Sequence, residues 1–381
     1  MSTKTSGKIL VIDDDPTIRM SVSYYLQKMG YDIVTAASGE EGIELAVSEQ
    51  PDLILLDLMM PGKNGFETCE ILKTQHSTNE IPVIFLTSMS ERDYILKCFK
   101  SGCVDYLRKP FEFAELYARI STHIRLKIQR EILIQNSRIM EKELELAAKF
   151  QKNLLPVSFP PIASVKSAAR FIPALKVAGD FYDFIDLGNE KVGFIIADVS
   201  GHGVMAALIA AMLKIDFLNF AHRENTPAEV LNEVNLHLEQ VLLDESFCTA
   251  FYGILDTRSY QLNYASAGHL APLYYTKENQ AVYELPQEGF PLGIMIEADY
   301  KNFNLQLNGG DKLILYTDGI IEATNEAGEF FTVEKLISCF EKNAHLSVEE
   351  LESAVYKEIL EFTQDSSFKD DLTLLILEFL E

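Results

Sequence analysis

The chain has 381 residues, enough at roughly 150 residues per domain for two or three folded units, and 48% of them are apolar, the ordinary share for a protein that buries a core. A net charge of −24 repels nucleic acid and anionic membrane, which excludes both as partners. The charge is uneven: residues 1–125 carry −5, residues 126–155 carry +2 and the remainder −21.

Up to residue 110, short runs rich in Val, Ile and Leu (Lys8–Ile12, Asp32–Ala36, Leu53–Leu56, Val83–Thr87, Val104–Leu107) alternate with amphipathic segments such as Thr17–Met29 and Glu91–Lys100. Uninterrupted apolar strands separated by helices predict a five-stranded, doubly wound parallel sheet of the α/β class. No Gly or Pro falls between Pro110 and Pro156, and Leu126, Leu133, Met140, Ala147 and Leu154 recur every seven residues, with Asn136 near the seam. That spacing predicts a long helix, either a dimerising coiled coil or a single helix packed on its own domain. A Pro-rich break at Pro156–Pro161 opens an α+β region. Its strand signals are Val192–Ala197, Ala250–Leu255, Leu262–Ala265, Lys312–Tyr316 and Leu372–Leu377. Its helix signals are Val204–Phe220, Pro227–Leu243, Val333–Phe340 and Val348–Phe362. Strands without helices between them predict antiparallel sheets with helices packed outside. The domain limits read as 1–122, a coiled-coil linker at 123–156, and 157–381.

The longest apolar run, Val204–Leu213, falls short of the roughly 20 residues of a membrane span and reads as a buried helix. With a polar N-terminus and no signal peptide, the chain is expected in the cytoplasm. Cys69, Cys98, Cys103, Cys248 and Cys339 show no CxxC spacing and read as buried or idle thiols.

Two constellations of chemistry stand out. Asp13 and Asp14 end the first strand, Asp57 the third and Thr87 the fourth, while Lys109 follows the fifth. In a parallel sheet these ends share one edge, where crowded carboxylates invite a hard cation and one of them can attack phosphorus. The stretches Ile9–Asp15, Leu56–Gly62, Leu86–Ser88 and Asp105–Phe111 closely resemble response-regulator receiver domains, over residues 7 to about 122. The resemblance implies Asp57 as phospho-acceptor; Asp13, Asp14, Asp57 and the Met59 carbonyl around Mg²⁺; Thr87 and Tyr106 as the switch pair; Lys109 as the phosphoryl-contacting cation; and a cognate histidine kinase as partner.

The second constellation is Gly179-Asp180-Phe181-Tyr182-Asp183, Asp198-Val199-Ser200-Gly201-His202-Gly203, Thr317-Asp318-Gly319 and Lys369-Asp370-Asp371-Leu372-Thr373. Oxygen-only ligation suits Mg²⁺ or Mn²⁺ rather than Zn²⁺, and two such ions can prime a water to attack a phosphoester without a Ser, Cys or His nucleophile. His202 and His269 read either as turn residues or as general acids. Residues 160–381 resemble the SpoIIE-type branch of the metal-dependent (PPM) protein serine/threonine phosphatases. The resemblance implies Asp180, Asp198, Asp318 and Asp370 at the metal centre with the Val199 carbonyl, and two Mn²⁺ or Mg²⁺ ions. Asp371 and His202 lie in supporting positions, and Ala178 stands where the family commonly has Gly. It further implies a fold of two antiparallel sheets packed as a β-sandwich flanked by helices, and a phosphorylated STAS-type anti-anti-sigma protein as substrate. Joining the two constellations through the long helix gives the expectation that Asp57 phosphorylation gates the phosphatase through a homodimeric coiled coil. The alternative is a non-catalytic adaptor binding a sigma or anti-sigma factor.

Overall fold

The computed structural model describes residues 7–88, 92–156, 160, 164–222, 224–242, 246–364 and 368–380. The chain divides into two compact units, Met1–Ile139 and Met140–Glu381.

The first unit runs β1 (Lys8–Ile12), α1 (Pro16–Lys28), β2 (Asp32–Ala36), α2 (Gly39–Glu49), β3 (Leu53–Asp57), α3 (Gly65–Thr74), β4 (Val83–Thr87), α4 (Arg92–Lys100), β5 (Asp105–Arg108) and α5 (Phe113–Leu154). The sheet order is β2-β1-β3-β4-β5, with every pairing parallel. Helices cover both faces, so the central strands must be apolar at every position. Leu10, Ile12, Ile54, Leu56 and Phe85 enter one core, while Ile9, Val11, Leu53, Leu55 and Leu86 enter the other. Side chains also fix the helix starts: Asp15 accepts from the Thr17 amide, and Asn64 and Glu67 form a reciprocal capping box on α3.

Helix α5 spans 42 residues. Leu116, Ile120 and Ile124 anchor its start in the first unit's core. Beyond them Leu126, Leu133, Met140 and Leu146 are each more than half exposed. A seam of that length facing water is not explained by helix propensity, which contributes only marginally to an isolated helix.

In the second unit the elements are β6 (Val165–Ile172), β7 (Phe181–Gly188), β8 (Lys191–Val199), α6 (Val204–Phe220), α7 (Pro227–Val241), β9 (Cys248–Asp256), β10 (Gln261–Ala267), β11 (Leu273–Thr276), β12 (Ala281–Glu284), β13 (Phe303–Gln306), β14 (Lys312–Tyr316), α8 (Asp318–Ile321), α9 (Val333–Asn343), α10 (Val348–Thr363) and β15 (Leu372–Phe379). They build two five-stranded antiparallel sheets, β13-β10-β9-β8-β7 and β12-β11-β14-β15-β6. Alternation sorts each strand between layers. On β8, Phe194 and Ile196 enter the core between the sheets, while Ile195, Ala197 and Val199 face α6 and α7. On β15, Leu375, Leu377 and Phe379 point inward, while Leu372, Leu374 and Ile376 meet α9 and α10.

One expectation needs correction. Val204–Leu213 is not a buried helix: Ala206, Ile209, Ala210 and Leu213 pack on the sheet, but Val204, Met205 and Leu208 are at least half exposed. A helix lying on one sheet buries only one stripe, whatever the composition of the other. All five cysteines are buried and free. No helix among the described residues is long and apolar enough to cross a membrane.

Candidate active site

The parallel order of the first unit brings three strand ends together. Asp13 follows β1 fully buried, Asp57 closes β3 at 5% exposure, and Asp14 is exposed. Each of the three offers an oxygen within 4.8 Å of the others. Lys109 Nζ donates to Asp13 Oδ2 at 2.7 Å and to Asp57 Oδ1 at 2.8 Å. Burial raises the Asp57 carboxyl above its ordinary range, although the Lys109 hydrogen bond pulls the other way. Gly65 packs against the Asp57 carbonyl, where a Cβ would lie 2.3 Å from the oxygen, so the start of α3 presses on the end of β3. Thr87 is buried at the end of β4, and Tyr106 is half-buried on β5 with its ring edge-on to Phe99. Met59 lies in the loop after Asp57 with its side chain exposed. An oxygen-only carboxylate triad of this spacing fits Mg²⁺.

In the second unit the four aspartate motifs meet at one end of the sandwich. Asp180 immediately precedes β7, Asp198 is the penultimate residue of β8, Asp318 opens α8 and Asp370 lies two residues before β15. Asp180 is 2% exposed, Asp198 and Asp318 are half-buried, and Asp370 is exposed. Burial first, then Asp318 and Asp370, raises the Asp198 carboxyl to about 7. Burial, then Asp370 and Glu322, raises Asp318 to about 6. Asp180 is pushed well above the ordinary range by burial and by Asp198. Carboxylates that impede one another's ionisation are a site for hard divalent cations, and the oxygen-only donor set fits Mg²⁺ or Mn²⁺. The spacing is looser than in the receiver: among the described residues, only the Asp13–Asp14–Asp57 group gathers three ligand atoms within 4.8 Å.

Backbone close approach explains the glycines of these motifs. A Cβ on Gly179 would fall 2.9 Å from the Val199 carbonyl oxygen, and one on Gly319 would fall 2.0 Å from that of Asp371. Gly201 and Gly203 take φ of +88° and +85°, which turns the chain from β8 into α6. Asp371 is buried and accepts from the Ala174 and Gly179 amides at 2.8 and 2.6 Å, so it holds the loop before Asp180. Ala178 is not among the residues with positive φ, so no glycine is needed there. His202 is exposed in its turn. His269 is 2% exposed, its Nδ1 lies 2.9 Å from Thr249 Oγ1, and burial lowers its pKa to about 4. A neutral, enclosed imidazole of this kind supports the structure.

Three groups escaped the reading of the sequence. Glu322 adds a carboxylate one helical turn after Asp318, a signal readable as i,i+4 spacing. It lines a cleft of about 390 Å³ with Phe330, Phe368, Lys369 and Asp370. Thr317 and Thr373 both donate to Asp180 Oδ2. Gln151, buried on α5, donates to the Ala178 carbonyl at 2.6 Å and accepts from the Ala178 amide at 2.9 Å. In the sequence it stands among Lys149, Lys152 and Asn153, and nothing distinguishes it from these polar neighbours.

Comparison with known proteins matches two stretches of the chain to families. The family described as stage II sporulation protein E (SpoIIE) matches residues 188–380, which include Asp198, Asp318 and Asp370 but not Asp180. The response regulator receiver domain family matches residues 9–121. Phosphoserine phosphatase RsbU of Bacillus subtilis is 33% identical over 238 residues, covering 62% of this chain and 70% of RsbU. Protein IcfG of Synechocystis sp. is 26% identical over 355 residues, 84% of this chain but only 54% of IcfG. The SiaA-PP2C domain of Pseudomonas aeruginosa shares the fold, with a TM-score of 0.57 at 23% identity over 64% of this chain and 98% of that domain. The chain belongs to the SpoIIE family of protein serine/threonine phosphatases and carries a response-regulator receiver domain at its N-terminal end.

Proposed function

We propose that this chain is a response regulator whose output is hydrolysis of phosphoserine or phosphothreonine on a partner protein of the STAS-type anti-anti-sigma class. The observation that carries the reading is the convergence of Asp180, Asp198, Asp318 and Asp370 at one end of the sandwich, where Asp198 raises the Asp180 carboxyl, Asp318 and Asp370 raise that of Asp198, and Asp370 raises that of Asp318. These four side chains, with the Val199 carbonyl, would hold two Mn²⁺ or Mg²⁺ ions, which supply an activated water and screen the phosphoryl oxygens. Asp371 sets the backbone of the Asp180 loop, and the cleft beside Glu322 leaves room for substrate residues flanking the phosphoester. RsbU and a second relative, RsbP of Bacillus subtilis, are named phosphoserine phosphatases, which supports the same bond class here.

Asp57, with Asp13 and Asp14 around Mg²⁺, takes a phosphoryl group from a histidine kinase or a small phosphoryl donor. The carboxylate oxygen forms the new bond to phosphorus as the donor's own bond breaks, and Lys109 pairs with the transferred oxygens. Thr87 and Tyr106 register the change. The 123–156 segment carries it, as a homodimeric coiled coil through the exposed Leu126, Leu133 and Met140 seam. At its far end Gln151 grips the backbone next to Asp180. The expected setting is the cytoplasm. The test is Mn²⁺-dependent dephosphorylation of phosphorylated STAS-domain proteins, with and without acetyl phosphate. Failure to hydrolyse even p-nitrophenyl phosphate would leave a binding adaptor instead.

A further inference from the structure

We infer that Thr317 and Thr373 form a hydroxyl brace that fixes Asp180 as a one-sided ligand; this rests on the phosphatase reading of the site. Thr317 follows β14 and Thr373 is the second residue of β15, and the Thr317 amide bonds the Thr373 carbonyl at 3.1 Å. Their hydroxyls converge on a single atom: Thr317 Oγ1 lies 2.7 Å, and Thr373 Oγ1 2.5 Å, from Asp180 Oδ2. Both threonines are fully buried and Asp180 is 2% exposed, so water does not stand in for either donor.

The direction of these bonds follows from counting protons. A hydroxyl has one to give. The Thr373 amide already donates to Thr317 Oγ1 at 3.0 Å, which occupies a lone pair of that oxygen. Among the described residues the Asp371 carbonyl, at 3.5 Å, is the only rival acceptor, and it lies at the limit of a hydrogen bond. The Thr317 proton therefore goes to Asp180, and the Thr373 proton joins it on the same oxygen. Oδ2 is thus held by two donors from the opposite sheet, while no hydrogen bond to Oδ1 occurs among the described residues. The plane of the carboxylate is set, and Oδ1 is the oxygen left to the cluster containing Asp198.

A threonine that merely filled space here could be valine at equal volume, so the isosteric change separates the two roles. The test uses the full chain, Mn²⁺ alone as the calorimetric probe, and p-nitrophenyl phosphate kinetics as a second readout. Supporting groups that orient a metal ligand typically govern about 10–100-fold in affinity. Thr373→Val and Thr317→Val are each expected to weaken Mn²⁺ binding by about that factor, with kcat falling at sub-saturating Mn²⁺ and recovering as the ion is raised. Thr373→Ser, which keeps the hydroxyl, is expected to bind as the wild type does. Wild-type Mn²⁺ affinity in both Val variants overturns the brace. So does a loss of about 10-fold or more in Thr373→Ser measured against the wild type, a comparison that stands even if a Val variant fails to fold. If the wild-type chain itself neither binds Mn²⁺ nor turns over p-nitrophenyl phosphate, the phosphatase reading falls and the brace with it.

Discussion

Gly319→Ala is a sharp perturbation because it touches no side chain of the site. The new Cβ would sit 2.0 Å from the Asp371 carbonyl oxygen and 2.8 Å from its carbonyl carbon. Ordinary contact begins near 3.4 Å, so the two backbones must part by more than 1 Å. One of them opens α8 at Asp318 and the other carries Asp370 and Asp371. Overpacking of this kind costs about 1–3 kcal/mol, which in a unit of this size lowers the melting temperature by roughly 3–10 °C. The separation of Asp318 from Asp370 grows by a similar distance, and displacements of about 1 Å in reacting groups cost on the order of 100-fold in rate. Calorimetry and Mn²⁺-dependent p-nitrophenyl phosphate hydrolysis read the two effects separately. A variant with wild-type melting temperature and wild-type kcat/KM would refute the close-packing explanation of this glycine.

Other perturbations test other links. His269 titrates near 4 in the fold, against about 6.5 when unfolded. The unfolded chain therefore takes the proton first: the stabilisation is complete above pH 6.5 and is lost as the pH falls toward 4, by roughly 3 kcal/mol. Denaturant titrations of His269→Asn should lack that slope. Gln151→Ala strands the buried Ala178 amide and carbonyl, and should lower both stability, by roughly 2–4 kcal/mol, and Mn²⁺ affinity; calorimetry checks both. Asp57→Ala should abolish any difference in phosphatase rate with and without acetyl phosphate. Leu133→Glu with Met140→Glu, both on the exposed seam, should leave the chain monomeric by light scattering.

The receiver fold was legible because its inner strands are buried on both faces and so read as apolar runs: β1 and β4 fall at the residues expected and β3 extends by one, while β2, also at its expected residues, is an edge strand with only Ala36 buried. The second unit was legible only in its interior strands. β12 and β13 are edge strands with half their residues exposed, and β6 is an edge strand carrying Lys166 and Arg170, so none shows a clean apolar period. β7 hides behind Asp183 and Asp186, although Asp183 is in fact buried against Lys214. The aspartate motifs at Asp180, Asp198 and Asp318 were visible because glycine neighbours mark them, and Asp370-Asp371 because a pair of carboxylates runs straight into an apolar strand. Glu322 and the two threonines were not, because a side chain's place in a site depends on which strand or turn comes to lie beside it.

Gln151 shows why such a residue matters more than its sequence signal suggests. Its amide lies roughly 5–6 Å from the axis of α5, the outer radius of a helix with its side chains. A rotation of the helix by only about 20° carries that amide by about 2 Å along its arc. Bonds of 2.6 and 2.9 Å to Ala178 do not survive such a displacement. The next residues are Gly179, on which Asp371 closes, and Asp180. A small change in coiled-coil register would thus release the backbone beside a carboxylate of the metal cluster without any signal crossing the body of the sandwich. The proposed regulation would therefore need no large domain motion: a single buried amide would convert the rotation of one helix into order or disorder at the site.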